Sequence, residues 1–223
     1  MLNRALVKDV ERYILYRHQT GTFHGMMEIP FMKHFIREEL DVKGTAVLDI
    51  GCGFGFYAKY FLEQGANTVE CIDKNPAMIE LARKYVSSHR AKYLVADMDE
   101  LQARNRFDIA FANLSLSDAK DLKKVYRNVR EAMRQKAFFL VSEVHPIATV
   151  LRYNGKDEYT TFGCDYFSST IGIQDYINIG IQSGFTLKMY HEPKARVGAS
   201  QIDSLIKRAN LFPRFFVLLF QKE

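Results

Sequence analysis

The chain has 223 residues, 48% of them hydrophobic and 26% charged, which is enough apolar sequence for a sizeable core and excludes a disordered or fibrous protein. Its length accommodates one α/β domain with an elaboration. A net charge of +5 attracts anionic partners only if the positive side chains gather on one face, so it does not by itself indicate nucleic acid.

The first fifteen residues, MLNRALVKDVERYIL, carry charges through their apolar positions and lack the uninterrupted apolar stretch of a signal peptide. Leu6, Val10, Tyr13 and Ile14 share one helical face, and Phe31, Met32, Phe35 and Ile36 another, so residues 1–44 are expected to form a helical cap or lid. From Thr45 to residue 223 strands and helices alternate, the pattern of a parallel sheet with right-handed crossovers. Val47–Ile50 is a first strand ending in glycines, and Tyr57–Gln64 a helix closed by Gly65. Thr68–Ile72 is a second strand. Asn75-Pro76 then supplies a capping side chain and a proline for the first helical position, predicting a helix over Pro76–Val86. Tyr93–Ala96 and Phe107–Ala112 are the third and fourth strands, with the polar segment Met98–Arg106 between them. Ser117 or Asp118 is the expected cap of a helix carrying Ala119, Leu122, Val125, Tyr126, Val129, Ala132 and Met133 at helical spacing. Along it Lys120, Lys123, Lys124, Arg127, Arg130 and Arg134 are interleaved with Asp118, Asp121 and Glu131, the mark of a solvated face more than of a nucleic-acid patch.

Ala137–Val141 reads as a central strand covered on both faces. Beyond Pro146 the regularity lapses, and residues 147–170, with Tyr153, Tyr159, Phe162, Tyr166 and Phe167, read as a lid insertion over the sheet's ligand edge. A helix over Ile173–Ser183, a strand over Phe185–Tyr190 and a last strand over Phe215–Gln221 follow. Phe215–Phe220 is far shorter than the ~20 apolar residues that cross a bilayer. Cys52, Cys71 and Cys164 form no CxxC pair, which fits a reducing, cytoplasmic compartment and gives no metal site.

The strongest local signal is VLDIGCGFG, Val47–Gly55, where a strand ends and a helix begins. Gly51, Gly53 and Gly55 allow a tight turn and close approach of a ligand to the backbone. The dinucleotide fingerprint G-x-G-x-x-G wants a sixth-position glycine, and Phe56 stands there. Asp49 at the strand end, the glycine spacing and Asp73 after the second strand together resemble the S-adenosylmethionine site of class I methyltransferases. The resemblance implies an α/β fold: a doubly wound, mostly parallel, seven-stranded Rossmann-like sheet with an antiparallel C-terminal strand. It implies S-adenosyl-L-methionine as cofactor and S-adenosyl-L-homocysteine as product. By it the glycine loop, with Cys52, faces the methionyl part, and Asp73, flanked by Lys74, accepts from both ribose hydroxyls, a task that suits an acceptor-only carboxylate. Asp97 matches the position that meets the adenine amino group and Met98 the one that packs on its ring; Asn113 and Leu114 match the segment at the sulfonium. Met78 either covers the other face of the adenine or belongs to the core.

Later segments, EVHP at Glu143–Pro146 and IQDYINIGIQSGFTLKMYHEP at Ile173–Pro193, are similar to a large bacterial subgroup of small-molecule methyltransferases. Two departures stand out. Arg134-Gln135-Lys136 occupies the place of the usual Pro-Gly-Gly turn, and Ser168–Ile171 lacks the His-Arg or His-His often found there, which removes a catalytic candidate. His145, just beyond the fifth strand, is either a base or substrate contact or a histidine that bonds the cap. His18 and His24 are further candidates. Arg17 is placed to bind the cofactor carboxylate and Tyr16 to close over it, although a hydrated helix end has the same sequence. The expected acceptor is a small molecule with an O, N or C nucleophile, taken by a monomer or homodimer. Asn113-Leu114-Ser115-Leu116 is not the Pro-Pro-aromatic run of amino methylation on nucleic acid, no cysteine follows a proline as pyrimidine C5 chemistry needs, and Glu143 lacks the second glutamate of protein arginine methylation. The alternative is an RNA or tRNA methyltransferase, or a non-catalytic binding module on the same fold, using the Lys120–Arg134 face.

Overall fold

The computed structural model describes residues 23–148, 171–194 and 212–223. Seven strands form one sheet: β1 (Ala46–Ile50), β2 (Thr68–Asp73), β3 (Ala91–Val95), β4 (Phe107–Asn113), β5 (Met133–Val144), β6 (Phe185–His191) and β7 (Phe215–Lys222). Their order is β3-β2-β1-β4-β5-β7-β6. β1 to β5 pair in parallel, and β7 runs antiparallel between β5 and β6. Chain order reverses between β1 and β4, and such a switch point opens a crevice at the carboxyl ends of the strands.

Alternation along each strand gives the sheet two apolar faces. On one, Val47, Val69, Ile109, Phe111, Leu140 and Val217 pack under α1 (Ile29–Glu39), α2 (Phe56–Glu63) and α3 (Pro76–Tyr85). On the other, Leu48, Ile50, Ile72, Phe139, Val141 and Phe220 pack under α4 (Leu122–Ala132) and α5 (Ile173–Gln182). Helices on both faces make the sheet doubly wound, and each fully buried Phe or Leu contributes about 1.5–3 kcal/mol.

The described part of residues 1–44 is integral to this core. A single π-helical turn, His24–Glu28, leads into α1, whose Met32, Phe35 and Ile36 are buried against the sheet as the apolar spacing predicts. Asn75 caps α3 by accepting from the Ala77 amide, with Pro76 in the first turn.

Two expectations shift. The cap of α4 is Asp121, which accepts from the Lys124 amide; Leu116–Asp118 is instead a separate 3-10 turn, because Glu143 binds the Leu116 and Ser117 amides. The fifth strand begins at Met133 and not at Ala137. Met133 pairs with Phe107, and the register then jumps to Ile109 with Phe138, so Arg134-Gln135-Lys136 bulge out with Lys136 at φ 65°. The unusual turn is absorbed as a bulge next to a solvated pair, Arg134 on Asp108.

Candidate cofactor and acceptor site

The glycine loop is held from below and open above. Gly51 and Cys52 donate to the Ile72 carbonyl at 2.8 and 3.0 Å, which pins the turn to β2. Gly51 has φ 69°, and a Cβ there would stand 2.4 Å from the Cβ of Ser115. The turn after β4 therefore lies directly against the loop, anchored by the Ser115 hydroxyl on the Ile50 carbonyl at 2.7 Å. Gly53, at φ 55°, has nothing within 4 Å of the place a Cβ would take. Gly55 starts α2 and packs against Ala82 of α3.

Asp73 is oriented by the backbone. Its Oδ2 accepts from Gly53 N–H at 2.9 Å and its Oδ1 from Asn75 N–H at 2.8 Å. Each oxygen keeps a further lone pair, so the carboxylate is set to take two more donors. Burial raises its pKa, against the pull of the two amides. Beneath it Asp49 is buried, with Oδ2 lacking any partner, and burial followed by the charge of Asp73 pushes its carboxyl up to about 8. An open cradle over Gly53, a braced carboxylate and an unpaired buried acid fit a ligand with a sugar diol and positive charge. Cys52 is half-buried and pushed up by the neighbouring Cys71 thiol and by burial. Lys74 is turned outward to Asp118 at 2.9 Å.

At the position expected to meet the adenine, Asp97 caps the turn Met98–Glu100 and meets Lys120 Nζ at 2.7 Å, which holds its carboxyl below the usual range. An adenine amino group there would have to share Asp97 with Lys120. Met98 is buried in the second core cluster, and Met78 is half-buried on α3.

At the opposite end, Asn113 closes β4 and Leu114 adopts φ 53°, a conformation costly for a branched side chain, held by its amide on the Ser142 carbonyl. Glu143 lies buried below, and burial lifts its carboxyl to about 7 despite the Leu116 and Ser117 amides. The sequence reading missed Glu28. This side chain is wholly buried; its Oε1 accepts from Tyr57 OH at 2.5 Å and from Asn113 Nδ2 at 2.9 Å, and its Oε2 meets His24 Nδ1 at 3.1 Å. The available signal was a lone acid inside the apolar run GMMEIPFM.

His145 has both nitrogens engaged: Nδ1 accepts from the Ile147 amide at 3.1 Å, which makes Nε2 the donor to Glu192 at 3.2 Å. Glu192 also accepts from Tyr190 OH. This geometry ties the end of β5 to the end of β6 and favours the bonding alternative over the base. Tyr16, Arg17, His18 and the aromatic insertion from residue 149 to 170 lie outside the described residues.

Residues 47–136 match the family model described as a methyltransferase domain. Among curated relatives, a malonyl-[acyl-carrier protein] O-methyltransferase of Hamiltonella defensa is 31% identical over 103 residues, 46% of this chain and 39% of that one. A ubiquinone biosynthesis O-methyltransferase of Coxiella burnetii is 25% identical over 154 residues, 66% and 62% of the two chains. The chain spans about half or less of the length of the first curated relatives it matches. Among solved structures, an S-adenosylmethionine-dependent methyltransferase from Mesorhizobium loti superposes with a TM-score of 0.74 at 23% identity, covering 87% and 97% of the two chains. The N-methyltransferase NodS from Bradyrhizobium japonicum, solved with S-adenosyl-l-homocysteine, gives 0.68 at 13% identity and covers 97% of each chain. Sheet order and superposition agree on the fold: the chain has the Rossmann-like architecture of the S-adenosylmethionine-dependent methyltransferases it is similar to, and its residues 47–136 match a methyltransferase domain.

Proposed function

We propose that this protein is an S-adenosylmethionine-dependent methyltransferase acting on an O, N or C nucleophile of a small molecule. The observation that carries the reading is Asp73, braced by the Gly53 and Asn75 amides beside the open cradle over Gly53. When bound, the cofactor supplies an electrophilic methyl on a sulfonium, and the reaction is an in-line displacement governed by positioning and desolvation. Asp73 takes the ribose hydroxyls, Gly51 and Gly53 admit the methionyl part, and Asn113 with Leu114 bounds the reacting end beside Gly51. Met98 and Met78 flank the adenine. Asp49, pushed up to about 8 in the unliganded fold, gives up its proton when the sulfonium and ammonium bind above it and then supplies negative potential beneath them.

Among the described residues no helix is long and apolar enough to cross a membrane. The thiols of Cys52 and Cys71 support a cytoplasmic setting. Three of the six basic side chains on and beside α4 are tied locally, Lys120 to Asp97, Arg130 to the Gly184 carbonyl and Arg134 to Asp108, which weakens the case for a nucleic-acid face. Methyl-labelled S-adenosylmethionine, incubated with a panel of phenols, amines and carboxylic acids, is expected to yield S-adenosylhomocysteine and a labelled small molecule. Labelling of RNA with no small-molecule product would refute the reading.

A further inference from the structure

Buried beside the glycine loop, three polar atoms share one face of the sheet without a partner: Asp49 Oδ2, Asn113 Oδ1 and Ser142 Oγ. Asn113 and Ser142 are direct neighbours across β4 and β5, and Asp49 lies one strand over, paired with Phe111. A buried acceptor left unmatched costs about 1–3 kcal/mol, so its orientation needs a cause. Glu28 is that cause. A carboxylate only accepts, and its Oε1 already receives Tyr57 OH, so the Asn113 amide must turn its NH2 toward Glu28. The carbonyl oxygen is thereby forced to the other side, where it has no partner. Free rotation would let the amide offer either a donor or an acceptor; Glu28 removes that choice from 85 residues away in sequence. Glu28 is in turn held by two elements at once, His24 on its own π-helical turn and Tyr57 on α2.

We propose that Glu28 is a positioning residue which locks Asn113 with its carbonyl oxygen presented to the reacting end, so that Asn113 accepts a hydrogen bond from a donor on a bound ligand. This rests on the reading that the reacting end lies at Asn113. If that donor belongs to the methyl acceptor, the lock selects for an atom that arrives carrying a proton, a hydroxyl or an amine, since a carboxylate offers no donor there. The cofactor's ammonium is the other source of the same chemistry.

Calorimetry with S-adenosylhomocysteine and with 5′-methylthioadenosine, which lacks the amino acid part, separates the two. Glu28→Met frees the Asn113 amide, and Glu28→Gln keeps an acceptor toward it. If the ammonium is the donor, E28M loses about 10- to 100-fold in S-adenosylhomocysteine affinity while methylthioadenosine affinity holds, and E28Q retains both. If the acceptor is the donor, both affinities hold, and turnover of a probe hydroxyl such as catechol falls by a similar factor in E28M and not in E28Q. Should E28M fail to fold, Asn113→Ala removes the oxygen itself and is expected to give the same losses. An unchanged affinity ratio without loss of catechol turnover overturns the proposal. Failure of the unsubstituted protein to bind S-adenosylhomocysteine would instead strike the methyltransferase reading.

Discussion

The two ends of the site are built differently. At the end proposed to hold the ribose, Asp73 is held by backbone amides of Gly53 and Asn75, and the contacts span at most 20 residues of sequence. At the reacting end Asn113 is held by a side chain, Glu28, at a separation of 85 residues and on a helical turn that precedes the sheet altogether. Backbone cradles are dictated by short motifs, whereas a buried side-chain network exists only once the helix carrying it has docked. The first end is accordingly written in a short stretch of sequence, and the second depends on the packing of the whole domain.

Within the cradle, Gly51 and Gly53 share a left-handed backbone but face different surroundings, which offers a way to break the comparison. Gly51→Ala is expected to cost about 2–5 kcal/mol in denaturant unfolding, from the backbone penalty together with overpacking on Ser115. Gly53→Ala carries only the backbone penalty, about 1–2 kcal/mol, while weakening S-adenosylhomocysteine binding by more than that loss of stability explains. Equal stability losses would mean the space over Gly53 is not the ligand's.

Next in size, Asp73→Ala is expected to lower cofactor affinity about 100-fold in a titration, through the loss of two charge-assisted bonds of which each is worth about 1.5–3 kcal/mol. Its fold should survive, since the Gly53 and Asn75 amides lie at the open edge.

A further effect concerns pH. Asp49 titrates near 3.8 when unfolded and at about 8 in the fold, so the native state retains a proton that the unfolded chain gives up. The contribution of Asp49 to stability without ligand should therefore be full below about pH 4 and decline as pH rises toward 8, by on the order of a few kcal/mol. Glu143 adds to the same slope up to about 7. Asp49→Asn should flatten the larger part, as read from unfolding midpoints at pH 5 and pH 8; an unchanged slope would place its cause elsewhere.

Seven strands were legible because apolar runs of β-branched and aromatic residues alternate with helical spacing and clear caps such as Asn75-Pro76, whereas the antiparallel run of β7 followed only from the family resemblance. The cap of α4 was not, since Ser117, Asp118 and Asp121 are all good caps and only the Glu143 and Asp99 carboxylates, arriving from elsewhere, decide among them. Met133 was ambiguous because a buried residue satisfies helix and strand patterns alike. In the candidate site, the turn at Gly51, Gly53 and Gly55 and the placing of Asp73 beside it could be read from spacing. Glu28 could not, because its partners Tyr57 and Asn113 are brought to it by the docking of α1.

A crystal structure with S-adenosylhomocysteine bound tests the account most directly. It should place both ribose hydroxyls about 2.7 Å from the Asp73 oxygens, with the amino acid part over Gly53 and the sulfur facing Asn113. A nucleoside lodged elsewhere on the sheet, or an Asp73 that still touches only the Gly53 and Asn75 amides, would contradict it.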